Sequence, residues 1–366
     1  MNKKLTIAII GSRGYPYVYS GYETFVKELS ERLVNKGHRV RVYCHRNLYK
    51  HRPKNINDIE LIYTPSIKSK FFSQPYNSFF SFLHVCFSKA DIVLVVNSAN
   101  GPFGILTKLF NKKTCINVDG MEWLRPKWKG LGSIYFKIAS RFATLLYDIV
   151  ITDSIEMKKA YIREFNTYSH VIAYGPTMLN HRLNNSILKA NNIFKNQYYL
   201  IVGRMIPDNN SLLLINGFIR SKSEKKLLIV GDVPYNDNYA KEVKMKASRN
   251  VIFTGYIKCQ KQLTALYQNC YGYIHGHEFG GTNPTMINAL YLNKEILSLE
   301  TLFNREMLKN KKAVFFKKNE KSIAESITFF ELNKLDISNE NVNYKFPKKY
   351  HWDNITIQYL ELFKLI

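Results

Sequence analysis

Short apolar runs alternate with longer amphipathic stretches along the first half of the chain. A run of four to seven mainly apolar residues is typical of a buried strand, and the stretches between these runs have helical spacing. Strands that alternate with helices predict a parallel sheet. The seven strand candidates are Leu5–Ile10, His38–Cys44, Ile59–Tyr63, Asp91–Val96, Thr114–Val118, Asp148–Thr152 and Val171–Tyr174.

The same alternation returns in the second half, after an asparagine-rich stretch with weak strand signals. We therefore predict an α/β chain with two doubly wound parallel sheets, each in its own domain. Two domains also suit the length, since 366 residues exceed one ordinary core. The second set of strand candidates is Tyr198–Gly203, Lys226–Gly231, Asn250–Gly255, Tyr271–His275, Glu295–Ser298 and Ala313–Phe316. The predicted segments are 1–178 for the first domain, 179–196 for a linker, 197–345 for the second domain and 346–366 for a terminal helix.

The terminal helix has an apolar face to bury. Its apolar residues recur at helical spacing, so the helix must pack on one of the two domains. Docking on its own domain is the simplest arrangement. The residues of this face are Trp352, Ile355, Tyr359, Leu360 and Phe363.

Charge narrows the range of partners. The formal net charge is +25 and the pI about 9.7, which indicates an anionic partner or surface. The basic residues are spread over the whole length without a nucleic-acid-binding signature, so we exclude nucleic acid and expect an anionic membrane face instead. No apolar run reaches the length of a membrane span, and five scattered cysteines form no metal or redox motif. We expect a cytoplasmic protein at the inner face of the cytoplasmic membrane.

The segment Phe71–Phe87 is rich in aromatic residues and follows Lys68 and Lys70. Its apolar residues surround the predicted helix and do not form one stripe. Core packing is the simpler interpretation, and contact with a membrane interface is the alternative.

Three glycine-containing turns follow predicted strands and precede predicted helices. They lie at Gly11–Phe25, Val202–Asn210 and His275–Pro284. Glycines let a ligand approach the backbone, Asn283 suits a helix N-cap and Pro284 suits a first helical position. The positive end of the helix dipole would then face an anion such as a phosphate.

These three segments, in this order, resemble the retaining family 4 glycosyltransferases. The resemblance runs from about Ile7 to Trp352–Asp353, and within the family it is closest to the bacterial subgroup assigned to rhamnose transfer during polysaccharide assembly on a lipid carrier. It implies the GT-B fold, in which two Rossmann-like domains face each other across a cleft and the last helix returns to the first domain.

The resemblance implies a donor site in the second domain. Arg204 corresponds to the arginine that grips the donor diphosphate, and the turn after the strand at Tyr271–His275 receives it. The donor-binding candidates are Gly203, Arg204, Asn209, Gly280, Gly281, Thr282, Asn283 and Asn288. We assign a catalytic role to Arg204, His277 and Glu278. His275 and His277 alternate at the strand end, but two histidines alone do not indicate a metal site.

The sequence departs from the wider family at two places. Many relatives have a lysine about five residues after the arginine, where this chain has Asn209 and Asn210. The family's two glutamates, separated by seven residues, are replaced by Gly280 and Asn288, although the subgroup keeps the second glutamate. We predict that Asn288 weakens donor binding without abolishing it, and that Glu278 replaces part of the missing function.

Two further segments are candidates for the acceptor side. The first glycine turn supplies Arg13, Gly14, Tyr15 and Gly21. The second segment follows the strand at Thr114–Val118 and resembles a motif of the subgroup. Its acid, aromatic and basic residues suit sugar hydroxyls, sugar faces and phosphates. Its candidates are Asp119, Glu122, Trp123 and Arg125.

We therefore predict a retaining, metal-independent hexosyltransferase without a cofactor. Its co-substrate would be dTDP-rhamnose and its acceptor a saccharide linked to polyprenyl diphosphate, in the synthesis of capsule or O-antigen. The resemblance implies front-face transfer, in which the departing phosphate takes the acceptor proton. Two alternatives stay open: the same enzyme with a UDP-hexose donor, and a non-catalytic sugar-nucleotide-binding subunit of another transferase.

Overall fold

Two units, each with its own parallel sheet, make up the computed structural model. It describes residues 4–16, 21–69, 72–118, 120–125, 128, 130–177, 184–233 and 237–366. The first unit comprises Met1–Gly175 and Lys348–Ile366, and the second comprises Pro176–Pro347.

The first unit alternates strands and helices. Its strands are β1 (Thr6–Ile10), β2 (Arg39–His45), β3 (Asn55–Ile56), β4 (Ile59–Thr64), β5 (Ile92–Val96), β6 (Thr114–Asn117), β7 (Ile149–Thr152) and β8 (His170–Val171). Its helices are α1 (Gly21–Asn35), α2 (Ser73–Cys86), α3 (Gly104–Leu109), α4 (Leu131–Leu146) and α5 (Ile155–Phe165). The sheet order is β3-β4-β2-β1-β5-β6-β7-β8.

Almost every neighbouring pair in this sheet is parallel, and the antiparallel pair is β3 with β4. The central strands are apolar on both faces because helices cover both sides, as in β5, where every residue is buried. The connections that contain α2, α3, α4 and α5 cross the sheet in one direction and that of α1 in the other, so right-handed crossovers put these four helices on one face and α1 on the opposite one. In agreement, α2 packs on α3 and α3 on α4.

The second unit repeats this architecture. Its strands are β9 (Tyr198–Val202), β10 (Lys226–Val230), β11 (Val251–Gly255), β12 (Gly272–His275), β13 (Ile296–Leu299) and β14 (Val314–Phe316). Its helices are α6 (Ser186–Ala190), α7 (Ser211–Ser221), α8 (Asn238–Lys244), α9 (Gln260–Asn269), α10 (Pro284–Tyr291), α11 (Leu302–Met307) and α12 (Glu320–Glu340). The all-parallel order is β11-β10-β9-β12-β13-β14. Two doubly wound sheets were predicted, and the structure confirms them.

The last helix, α13 (Trp352–Phe363), belongs to the first unit. The ring of Phe25 in α1 lies 5.4 Å from that of Tyr359 and 6.4 Å from that of Trp352, measured between centroids. Asn117 Nδ2 donates a hydrogen bond of 2.7 Å to the Tyr359 hydroxyl. The apolar face of the terminal helix is therefore buried on the first unit. The helix returns to the first domain, as the resemblance implied, and does not dock on the second.

Two features differ from the sequence prediction. The short strand β3 was missed, since two residues of a hairpin edge carry too little periodicity. The predicted linker contains α6, whose Leu188 is buried and which packs on α9, so its described part belongs to the second unit. No helix in the described ranges combines the length and apolar character that a membrane span needs.

Candidate functional site

The carboxyl ends of β9 and β12 meet at the switch point of the second sheet. From β9 the strand order runs through β10 to β11 on one side, and from β12 through β13 to β14 on the other. Loops that leave such a point diverge and form a crevice, which is the usual ligand site of doubly wound sheets. Gly203 and Arg204 follow β9, and Gly276, His277 and Glu278 follow β12.

Asn209 joins these two loops. Its Nδ2 donates to the Arg204 carbonyl at 2.7 Å, which leaves Oδ1 as an acceptor. His277 Nδ1 lies 2.7 Å from that Oδ1, so Nδ1 carries the proton and donates. The Asn209 amide thus fixes the positions of Arg204 and His277 relative to each other. Where relatives place a lysine, this chain has a residue that fixes loop geometry, a function the sequence prediction missed.

Close backbone packing reinforces the link between the loops. Asn210 Nδ2 donates to the Gly276 carbonyl at 2.8 Å, and the Glu278 N–H donates to the Asp208 carbonyl at 3.1 Å. A Cβ at Gly276 would lie 2.7 Å from the Asn209 carbonyl oxygen. The two loops therefore form one rigid surface.

The start of α10 has the features that the glycine turn predicted. Asn283 caps the helix, its Oδ1 accepting hydrogen bonds from the Thr285 N–H at 3.0 Å and from the Thr285 hydroxyl at 2.7 Å. Pro284 is the first helical residue. Within the part of the chain that the structure describes, the buried N–H groups of Gly280 and Gly281 donate to no other residue. Two amides and a helix N-terminus are therefore available to an anion.

Arg204 offers the charge that such an anion needs. Its side chain is partly exposed, and its guanidinium makes no hydrogen bond or ion pair with any residue in the described ranges. An arginine that is positioned by its backbone and pairs with no protein carboxylate is suited to donate two parallel hydrogen bonds to phosphate oxygens.

Glu278 is already paired. Its N–H donates to the Asp208 carbonyl, and its Oε2 lies 2.6 Å from Nζ of Lys318, just after β14. Lys318 would therefore compete with a donor hydroxyl for the Glu278 carboxylate, if Glu278 replaces the missing glutamate as predicted. Lys318 was not predicted as a site residue. Its position could have indicated it, because Lys317 and Lys318 follow the carboxyl end of the last strand, where ligands bind in such sheets.

Asn304 is a second residue that sequence reasoning missed. Its Nδ2 donates to the His277 carbonyl at 3.0 Å and to the Leu299 carbonyl at 2.9 Å. The buried amide therefore ties the loop after β12 to the end of β13. Nothing in the sequence marks it, since an asparagine in the first turn of a short helix is common.

Asn288 lies in α10 with its amide buried. Its Oδ1 accepts from the Thr177 N–H at 2.9 Å, and its Nδ2 donates to Thr177 Oγ1 at 3.1 Å. The side chain thus anchors residue 177, at the beginning of the second unit. Its predicted contact with the donor stays a prediction.

His275 is a core residue of the second sheet. Burial lowers the pKa of its imidazole to about 3, and Nδ1 lies 3.1 Å from the Tyr273 hydroxyl. The ring is therefore neutral at physiological pH. No group of three or more potential metal-ligating side chains occurs in the described ranges.

The described residues of the first glycine turn contact neighbours in the first unit. The Arg13 N–H donates to Glu23 Oε1 at 3.1 Å, Gly14 lies against Cys44, and Gly21 begins α1. The predicted acceptor contact of Tyr15 stays a prediction. Tyr15 is buried, and its hydroxyl donates to Glu31 Oε1 at 2.7 Å, which together with burial raises its pKa to about 12.

The second acceptor segment forms a compact polar cluster. Glu122 Oε1 lies 2.8 Å from Arg125 Nε, and Oε2 accepts from Trp128 Nε1 at 2.7 Å. The predicted acceptor contact of Trp123 stays a prediction. The Trp123 ring is buried and packs edge-on against Tyr161 and Phe165. Asp119 lies outside the described residues.

Comparison with family models divides the chain in the same way as the two units. Residues 184–348 match the model described as glycosyl transferases group 1. Residues 4–177 match that of a domain of unknown function, DUF1972. No curated protein matches the chain.

Solved structures are similar over nearly the full length. Sucrose-phosphate synthase from Thermosynechococcus elongatus has a TM-score of 0.82 at 14% identity, with 99% of both chains covered. Anabaena HepE in complex with UDP and glucose has a TM-score of 0.76 at 13% identity, with 99% of this chain and 100% of that one covered. A glycosyltransferase from Rickettsia africae has a TM-score of 0.71 at 16% identity, with 100% and 99% covered. These likenesses show the two-domain α/β fold called GT-B.

Proposed function

We propose that this chain, a GT-B glycosyltransferase with a group 1 domain, moves a hexose from a nucleotide sugar to a lipid-linked saccharide. The observation that carries the proposal is the guanidinium of Arg204, which has no partner among the described residues and lies at the switch point of the second sheet. The group 1 domain spans the same region.

The chemistry of the second unit suits a departing diphosphate. Breaking the bond to the anomeric carbon leaves negative charge on the phosphate oxygens. A guanidinium and a helix N-terminus that are already in position stabilise that charge without reorganising. They do so without a metal ion, which supports a metal-independent reaction. No protein nucleophile is required if the departing phosphate takes the acceptor proton, and we propose transfer with retention on this basis.

The proposed donor is dTDP-rhamnose, supported by the sequence resemblance to the rhamnose-transferring subgroup. A UDP-hexose is the alternative donor, since HepE was solved with UDP and glucose. The proposed acceptor is a saccharide on polyprenyl diphosphate, used for capsule or O-antigen. We further propose that the protein works at the inner face of the cytoplasmic membrane, where its net charge of +25 favours anionic lipid.

A non-catalytic, sugar-nucleotide-binding subunit is the second candidate function. Two observations favour it. First, Asn209 stands where relatives have a cation, and its amide is hydrogen-bonded to Arg204 and His277. Second, the Asn288 amide is hydrogen-bonded to Thr177. Such a subunit would bind a donor without turnover until a second transferase is added.

Ligand-observed NMR with dTDP-rhamnose, UDP-glucose, UDP-galactose and GDP-mannose tests the proposal. We expect selective binding of dTDP-rhamnose that persists in excess EDTA. Binding of a UDP-hexose alone would replace the donor, and loss of binding in EDTA would exclude metal independence. If none of the four binds, the site is not a donor site. If a donor binds, release of nucleoside diphosphate on adding the lipid-linked acceptor separates the two candidate functions, since only the enzyme releases it.

Replacing Asn288 by glutamate is expected to tighten donor binding about tenfold, because a charged hydrogen bond to a ribose hydroxyl is about twice as strong as a neutral one. The N–H and hydroxyl of Thr177 can both donate to the new carboxylate, which offsets its burial. Titration of the donor measures the effect. Asn288→Gln, which has the same length without the charge, is the control. Unchanged or weaker binding in Asn288→Glu would contradict the prediction.

A further inference from the structure

Helix α4 exposes most of its large apolar residues and buries small ones, the reverse of a usual amphipathic helix. Its inner face is made of Phe136 and of three small residues that are fully buried, Ala139, Ser140 and Ala143. They permit close packing, since a Cβ at Gly101 would lie 1.9 Å from the Ala139 carbonyl oxygen. Its outer face carries large apolar residues. These are Leu131, which is 85% exposed, and Ile134, Ile138, Phe142 and Leu145, which are 41–55% exposed.

Helix α2 has the same inversion. Its buried face holds polar residues, where Asn77 Nδ2 donates to Thr64 Oγ1 at 2.8 Å and Ser78 Oγ donates to Asn100 Oδ1 at 2.6 Å. The aromatic residues Phe72, Tyr76, Phe79 and Phe87 are exposed. Core packing of the aromatic segment, the simpler sequence interpretation, is therefore wrong for these residues, although Phe82 is buried.

Helix α3 connects the other two. The ring of Phe110, just after α3, lies 5.0 Å from that of Phe87, just after α2. On the other side, Lys108 Nζ donates to the Leu145 carbonyl of α4 at 3.3 Å. Leu109 is 73% exposed between them. Because the three helices cover one side of the sheet, their exposed apolar residues form one surface, which we call the outer apolar face.

The charge around the outer apolar face is predominantly positive. The three helices contain Lys108, Lys137 and Arg141 and no acidic residue, and residues 65–147 contain 11 basic and 3 acidic residues. In the part of the chain described, Lys89, Lys108 and Lys113 pair with no carboxylate, although Lys137 lies 3.4 Å from Glu164. A face of this kind is complementary to a surface that is apolar inside and anionic outside.

We propose that the outer apolar face docks on the leaflet of an anionic phospholipid bilayer, with α4 lying in the interfacial plane. Aromatic and aliphatic side chains enter the boundary between headgroups and acyl chains, and the lysines contact lipid phosphates. A contiguous exposed apolar surface of this extent marks an interaction site in a protein of this size. The excess of positive charge favours lipid over a second copy of the chain, because two copies of this face would repel each other. The inference builds on the membrane partner of the proposed function and not on its chemistry.

Co-sedimentation of the full chain with vesicles tests the docking without any sugar substrate. The vesicles contain either phosphatidylglycerol mixed into phosphatidylcholine, at roughly a third of the lipid so that the surface is anionic, or phosphatidylcholine alone. We expect strong binding to the first and weak binding to the second. Ile138→Ser with Phe142→Ser should lower the partition coefficient at least about tenfold, since two large apolar groups are lost from the interface. Both positions are exposed, so the fold should be kept, as the thermal unfolding midpoint can check.

The matched control is Leu332→Ser with Leu335→Ser, which removes two leucines that are 80% exposed on α12 of the second unit. This control should bind as the wild type does. Equal loss in both double variants, or no loss in Ile138→Ser/Phe142→Ser, would overturn the proposal. So would a dimer in sedimentation velocity that only Ile138→Ser/Phe142→Ser dissociates, because the occupant would then be a second copy. Failure here leaves donor binding untouched, and failure of donor binding leaves vesicle binding untouched.

Discussion

Replacing Arg204 by alanine is expected to lower kcat/KM for the nucleotide sugar by about 10²–10³-fold, the effect of removing one positioned donor to a developing anion. The guanidinium makes no hydrogen bond or ion pair with other described residues, so its loss should leave the stability of the second unit nearly unchanged. Initial rates of nucleoside diphosphate release at limiting donor measure the change. Ligand-observed NMR measures donor affinity in the same variant.

Two companion variants separate charge from geometry. Arg204→Lys keeps the charge but loses the two-pronged contact, so its activity should fall between those of the wild type and Arg204→Ala. Arg220→Ala removes an exposed arginine at the end of α7 and should have no effect. Wild-type donor affinity and turnover in Arg204→Ala would show that the diphosphate binds elsewhere.

The sequence was sufficient to predict both sheets, because strands buried on both faces are continuous apolar runs that differ plainly from helical spacing. It was also sufficient to find the loops after β9 and β12, since a glycine turn between strand and helix is a local signal. It did not predict that Asn209 joins those loops. That role depends on a residue 68 positions away, His277, which no local pattern connects to it.

Helix orientation was the other point that sequence reasoning did not predict. In α2 the apolar residues surround the helix, so the pattern did not show which side is buried, and Asn77 and Ser78 find hydrogen-bond partners inside the unit. In α4 the small residues Ala139 and Ala143 face inward because they allow the backbones to approach. Trp123 is the opposite case. Its neighbouring charges suggested exposure, but Glu122 and Arg125 neutralise each other and the indole packs into the core.

Replacing Gly231 by alanine is expected to destabilise the second unit by at least about 3 kcal/mol, the sum of backbone strain and a collision. Gly231 follows β10 with a φ of +127°, and a Cβ there would lie 2.0 Å from the carbonyl oxygen of Gly203. The oxygen cannot move without shifting Arg204, so donor binding should fall as well. Since Trp123, Trp128 and Trp352 all belong to the first unit, tryptophan fluorescence does not report on the change. Hydrogen exchange of peptides from β9 and β10 does.

Gly255 offers the matched comparison for this substitution. It ends β11 with a φ of +68°, and a Cβ there would meet nothing within 4 Å. Gly255→Ala therefore carries the strain of a positive φ without the collision, which costs about 1–2 kcal/mol. Donor affinity should be retained, because the new methyl group meets no atom within 4 Å and so does not push on Gly203. Equal hydrogen-exchange protection and equal donor affinity in the two variants would mean that Gly203 moves away from the new methyl group at little cost. The rigidity inferred for the loop that carries Arg204 would then be incorrect.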